Sequence, residues 1–126
     1  MQYVTGFTGF SVADTERARA FYRDVLDLEV RDAEMPGLLE LHLPGGTGVL
    51  VYPKAAAHTP ASFTVLNLTV PDIDAAVRDL TSRGVTFLQY HGDLATDETG
   101  VHRGTPTLAW FTDPDGNIIS LIEEPA

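Results

Sequence analysis

Cysteine is absent from the 126-residue chain, which rules out disulfides, thiolate metal sites and cysteine nucleophiles. A cysteine-free composition suits a cytoplasmic protein. Basic residues are scarce: 8 Lys and Arg stand against 18 Asp and Glu, a formal net charge of −10. With no Lys/Arg cluster such a surface repels a phosphate backbone, so no nucleic acid is expected as a partner. The same charge would favour a cationic small molecule, although acidity commonly serves solubility alone. No apolar run reaches the roughly 20 residues of a membrane span. The N-terminus enters a strand-like run from Tyr3 without a basic stretch and apolar signal core, so no membrane partner is expected either. What remains is the composition of a globular protein, 44% hydrophobic and 21% charged, long enough for one domain with a real core.

Read along the chain, Gln2 to Val12 mixes β-branched, aromatic and glycine residues and predicts a strand. Asp14 stands where a helix N-cap belongs, with Glu16 in the first turn. Ala18, Phe21, Tyr22, Val25 and Leu26 then recur at helical spacing. Short strands follow at Leu28 to Arg31, Leu38 to Leu43 and Gly48 to Tyr52, punctuated by Pro36-Gly37 and Pro44-Gly45-Gly46. Lys54 to Ala61 reads as a linker, after which the pattern restarts. Phe63 to Val70 is a strand, Asp72 caps a helix with Ile73, Ala76, Val77 and Leu80 on one face, and Gly84 ends it. Val85 to Tyr90, Thr107 to Thr112 and Ile118 to Ile122 are the remaining predicted strands.

The halves superimpose as sequence. Val12-Ala13-Asp14 matches Val70-Pro71-Asp72 at an offset of 58, and Gly46 matches Gly116 at an offset of 70. The second half therefore carries 12 extra residues (70 − 58), expected in the segment His91 to Pro106. The expectation is an α+β fold of two tandem β-α-β-β-β modules. Module one covers about 1–53, the linker 54–61 and module two 62–126, all within one domain, 1–126.

The run Phe10-Ser11-Val12-Ala13-Asp14-Thr15-Glu16-Arg17-Ala18-Arg19-Ala20-Phe21-Tyr22-Arg23-Asp24-Val25-Leu26 resembles the opening strand and helix of the vicinal oxygen chelate superfamily. That superfamily groups glyoxalases, bleomycin-resistance proteins and extradiol dioxygenases. Val70 to Val77 with Arg83-Gly84-Val85 resembles its second module, and Asp113-Pro114-Asp115-Gly116-Asn117 its C-terminal signature. The resemblance covers nearly the whole chain and implies an open, curved mixed-sheet barrel with a cleft. It departs at Asp27, where relatives commonly carry glycine. Strand parity sends Phe7, Gly9 and Ser11, and Val65, Asn67 and Thr69, to the cleft face.

The resemblance also implies a metal quartet in the enzymes of the family, one His, Glu or Gln on each of four strands. The corresponding positions are Phe7, seven residues before Asp14; Val65, seven before Asp72; Ser120, four after Gly116; and Leu50, its repeat equivalent. Three of these have no donor atom and a lone serine hydroxyl is a poor ligand, so no metal and no cofactor is expected there. Nearby Glu123 falls on the opposite strand face, as a surface residue. Glu40, His42, His91 and His102 are the candidates for a re-sited His/His/Glu zinc set, but no ligand-type spacing connects them. Asp93, Asp97, Glu98, Asp113 and Asp115 lack the regular spacing of a calcium loop, and Asp113-Pro114-Asp115-Gly116 reads as a turn.

Phe7, Leu50, Tyr52, Val65 and Trp110 are therefore expected to line an apolar cleft, with Glu40, His42, Asn67, Thr69 and Ser120 as its polar groups. No Ser-His-Asp arrangement is legible, Ser11 being an ordinary strand residue, and Gly45-Gly46 joins strands and forms no phosphate loop. Two functions compete. One is a metal-independent binder of a small molecule, by resemblance a drug-sequestering protein, acting as a homodimer. The other is a lyase, isomerase or dioxygenase that uses a re-sited metal or Glu40 and His42 as an acid-base pair.

Overall fold

Asp14 is extended (φ −135°, ψ 111°), and its carboxylate accepts the amides of Glu16 at 2.9 Å and Arg17 at 3.3 Å. The helix it starts, α1 (Thr15–Ala20), widens into a π-helical turn over Phe21–Val25, where the Leu26 amide donates to Phe21 O at 3.1 Å. Asp27 then takes φ +57°, and the Leu28 amide closes back on Tyr22 O at 2.9 Å, a helix-ending geometry that ordinarily recruits glycine. The structure, a computed structural model, describes residues 1–46 and 48–125.

The chain forms two compact units, Met1–Pro60 and Ala61–Ala126. In the first, β1 (Thr8–Val12), β2 (Glu29–Asp32), β3 (Leu39–His42) and β4 (Gly48–Pro53) make a mixed sheet in the order β1-β4-β3-β2, with β1 and β4 parallel. Period-two alternation buries Phe10, Val12, Leu39, Leu41, Val49 and Val51. Ala18 and Tyr22 are the buried helix residues, and the Tyr22 ring meets Phe10 at 5.9 Å. Gly9, Ser11, Glu40, His42, Leu50 and Tyr52 alternate onto the other face.

The predicted strand from Gln2 is shorter than expected and begins at Thr8. Thr8 pairs with Val49 near the start of β4, and among the described residues Gln2 to Phe7 pair with no strand and lie exposed.

In the second unit, β5 (Thr64–Val70), β6 (Val101–His102), β7 (Leu108–Thr112) and β8 (Ile118–Glu123) repeat the order as β5-β8-β7-β6, with β5 and β8 parallel. The helix α2 (Ile73–Ser82) is capped by Asp72, which accepts the Ala75 amide at 3.1 Å, and buries Ile73, Val77 and Leu80. Glu123 differs from the expectation of a plain surface residue. It is half-buried, and its carboxylate accepts the Ile73 amide at 3.0 Å, using the donor-rich first turn of α2.

The repeat holds in register. Gly9 pairs with Leu50 and Asn67 with Ser120; Glu40 pairs with Leu50 and Trp110 with Ser120. These are equivalent pairs under the offsets read from sequence.

The strand predicted over Val85 to Tyr90 does not form, and β6 lies inside the segment predicted as loop. The two corrections have one cause. Phe87 bridges Phe111 and the Leu88 amide donates to Trp110 O at 2.8 Å, so the ladder starts as predicted. Continued, it would set residue 89 opposite Ala109; instead the chain leaves and Val101, twelve residues on, takes that place. The insertion is a detour in the middle of an edge strand, and β6 is that strand resuming.

Asp97 anchors the detour. Burial opposes its ionisation, but bonds from the Thr99 hydroxyl (2.6 Å), the Val101 and Thr99 amides (3.0 and 2.9 Å) and Arg103 (3.1 Å) hold its pKa at about 2. Asp113 does similar work at the turn before β8, accepting the Asp115 and Asn117 amides, both at 2.9 Å.

Candidate functional site

On the second unit's sheet, Trp110, Ser120 and Asn67 share the face turned away from α2, while Phe111 and Ile119 point to the helix side. Ser120 is buried and its hydroxyl donates to Oδ1 of the exposed Asn67 at 2.5 Å, so the buried hydroxyl is satisfied. Trp110 is 8% exposed. The Tyr90 ring, at the start of the twelve-residue detour, meets it edge-on at 5.2 Å, and the His102 ring, in β6 just after the detour, lies at 6.4 Å. His102 Nδ1 lies 2.9 Å from Ala95 O, which orients the imidazole across the loop. His91 is exposed at the entry to that loop and joins none of these contacts. Val65 is the extra residue of a β-bulge between Thr64 and Leu66 and is half-buried.

On the first unit's sheet, Glu40 and His42 meet. Glu40 Oε1 lies 2.6 Å from His42 Nε2, and Glu29 Oε2 lies 3.8 Å from His42 Nδ1. Glu29 in turn is held by Arg31 at 3.0 Å. Glu40 also lines a cavity of ≈ 430 Å³ with Gly6, Phe7, Thr8, Gly48 and Leu50. An imidazole between two carboxylates, one of them facing a cavity, can take or return a proton at Glu40 Oε1. Phe7 precedes β1 and is 78% exposed, and Tyr52 is 37% exposed on the same face as Leu50.

One contact escaped the sequence reading. The Ser11 hydroxyl lies 2.8 Å from His58 Nδ1, tying the linker to β1 next to Tyr52. A 47-residue separation carries no periodic or motif signal, so nothing in the sequence announced it.

The family's metal does not fit these residues. The side chains of Phe7, Leu50 and Val65 offer no lone pair, and the neutral Ser120 hydroxyl left alone is a poor ligand. Among the described residues no three His, Asp or Glu side chains are grouped to hold a metal ion, so Glu40, His42, His91 and His102 do not form the alternative set.

A helix-backed four-stranded mixed sheet, repeated once with the same strand order and register, defines a class of two-module α+β proteins. The chain belongs to the Glyoxalase/Bleomycin resistance protein/Dioxygenase superfamily, whose family model matches residues 5–121. Among solved structures, a member of that superfamily from Sphaerobacter thermophilus DSM 20745 is 27% identical, with 96% of this chain and 98% of that one covered and a TM-score of 0.68. TnmS3, an antibiotic binding protein from Streptomyces sp. CB03234, is 25% identical over 100% of both chains, with a TM-score of 0.66. The fosfomycin resistance protein FosX of Listeria monocytogenes shares the fold at 13% identity, covering 98% of this chain and 95% of that one, with a TM-score of 0.68. No curated protein matches the chain.

Proposed function

We propose that the chain is a metal-independent binding protein for small organic molecules, of the drug-sequestering kind. The observation that carries this reading is the replacement of donors by Phe7, Leu50 and Val65 at positions where the family's enzymes hold their metal. Trp110 with its Tyr90 and His102 neighbours supplies an aromatic wall suited to a flat guest, and Asn67 and Ser120 supply orienting polar groups. The net charge of −10 favours a cationic guest. The similarity to an antibiotic binding protein over the full length of both chains supports the same reading.

In this reading residues 1–126 act as one domain, in the cytoplasm and as a homodimer. Exposed Tyr3, Val4, Phe7 and Phe63 supply apolar surface for self-association.

Trp110 is the sole tryptophan, so its emission reports the site directly. Titration with copper-free bleomycin and a panel of planar cationic antibiotics in EDTA should give a saturable change for at least one compound, recovered chemically intact. Purified protein carrying one equivalent of transition metal, with no saturable response in EDTA, would overturn the reading.

The contact between Glu40 and His42 at 2.6 Å, at the edge of a cavity, favours a second reading: a metal-free enzyme that moves a proton. Turnover abolished by Glu40→Gln or His42→Ala, with binding retained, would establish it in place of the first.

A further inference from the structure

A cavity of the second unit lies away from the Trp110 face. It measures ≈ 630 Å³ and lies on the helix side, between α2, the segment from Val85 to Gln89 and the tip of the detour. Buried Val77, Val85 and Phe87 line it, making an apolar floor. Exposed Arg78 contributes from α2 and exposed Glu98 from the loop.

Arg78 differs from the other arginines of the chain. Arg19, Arg23, Arg31, Arg83 and Arg103 are all ion-paired, and Arg17 has partners of its own. Asp74, the carboxylate one helical turn from Arg78, is occupied by Arg103 at 2.6 Å. Among the described residues no carboxylate lies within 4.0 Å of the Arg78 guanidinium and no cation within 4.0 Å of the Glu98 carboxylate.

The wall carrying Glu98 is fixed before any ligand arrives. Asp97 is bonded to Thr99 and Val101, Gln89 Nε2 donates to Glu98 O at 3.1 Å, and Gly100 packs so closely on Phe87 that a Cβ there would sit 2.6 Å from Phe87 Cβ. A cation and an anion held on separate walls over an apolar floor complement a molecule bearing both charges and one apolar group.

We infer that this groove is a second ligand site, separate from the one on the Trp110 face, and that it takes a small zwitterion of the α-amino-acid kind. The ligand carboxylate pairs with Arg78, its ammonium with Glu98, and its side chain covers Val85 and Phe87.

The test is a ¹H–¹⁵N titration of the full chain with L-phenylalanine, 3-phenylpropionate and 2-phenylethylamine, following the Thr86 and Thr99 amides. L-phenylalanine should give saturable shifts without altering Trp110 emission. Each singly charged analogue, and each of Arg78→Ala and Glu98→Gln, should weaken binding by about tenfold or more, the scale of one charge-assisted bond. Both side chains are exposed, so the variants should keep the wild-type spectrum elsewhere. No saturable shift up to about 10 mM, well above a weak millimolar Kd, would overturn the inference. So would affinities unchanged in both variants, or analogues binding as well as the amino acid.

Discussion

Asp97 shows how much one side chain can organise. Its carboxylate gathers two amides, a hydroxyl and a guanidinium, and its pKa falls to about 2 because those donors outweigh the cost of burial. A folded-state pKa below the ordinary aspartate value of about 3.9 means the stabilisation is fully present above that value and is lost as pH falls toward 2. The carboxylate is 35% exposed, so solvent screening reduces the contribution to about 1–2 kcal/mol. Asp97→Asn should therefore cost stability at pH 7 and flatten the acid limb between about pH 4 and 2, as read by urea unfolding at each pH. Ser120 is a different case. Its hydroxyl donates to Asn67 Oδ1 and keeps its lone pairs, yet a single neutral hydroxyl is a poor ligand for a divalent ion.

At the scale of elements the informative one is the interrupted edge strand. Its two halves occupy neighbouring positions along β7, and the detour between them builds one wall of each proposed site: Tyr90 against Trp110, and Glu98 at the groove beside α2. Gly100 is where the detour turns back. It sits at φ +93° with Phe87 Cβ 2.6 Å from where its own Cβ would be. Gly100→Ala should cost about 2–4 kcal/mol in chemical denaturation, combining a left-handed backbone with a steric clash. Deleting residues 89–100 would set Leu88 directly before Val101, restoring a continuous strand in the register that Phe87 and Val101 already define. That variant should still unfold cooperatively. Its Trp110 emission should shift to the red, because the Tyr90 side of the wall is gone, and amino-acid binding beside α2 should disappear.

The whole molecule combines an acidic composition, a repeat and, where the resemblance implies metal ligands, three side chains without a donor atom. A chain of net charge −10 repels itself, and raising salt from about 10 mM should raise Tm by screening that repulsion. Removal of metal by EDTA should leave Tm unchanged, since Phe7, Leu50 and Val65 cannot ligate and an unbound ion contributes no linkage. A fall of several degrees on chelation, reversed by zinc or manganese, would show that a metal is held by other residues.

The fold was legible because it is written in local, periodic signals. Asp14 and Asp72 as caps, the alternation of Leu39 and Leu41 with Glu40 and His42, and the two offsets all survive into the structure, and the offsets even give the correct strand register. Asp27 in a left-handed conformation is likewise readable from its place after the helix. Tertiary structure decided what depends on a partner far along the chain. Gln2 to Phe7 look like strand but pair with no strand among the described residues; Val85 to Tyr90 look like strand but share β7 with residues twelve further on. Glu123 reaches the amide of Ile73, and Ser11 reaches His58, across separations of 50 and 47 residues. Propensity and spacing are properties of a segment, whereas a hydrogen-bond partner, a cavity wall or an unpaired charge exists only once distant segments are brought together.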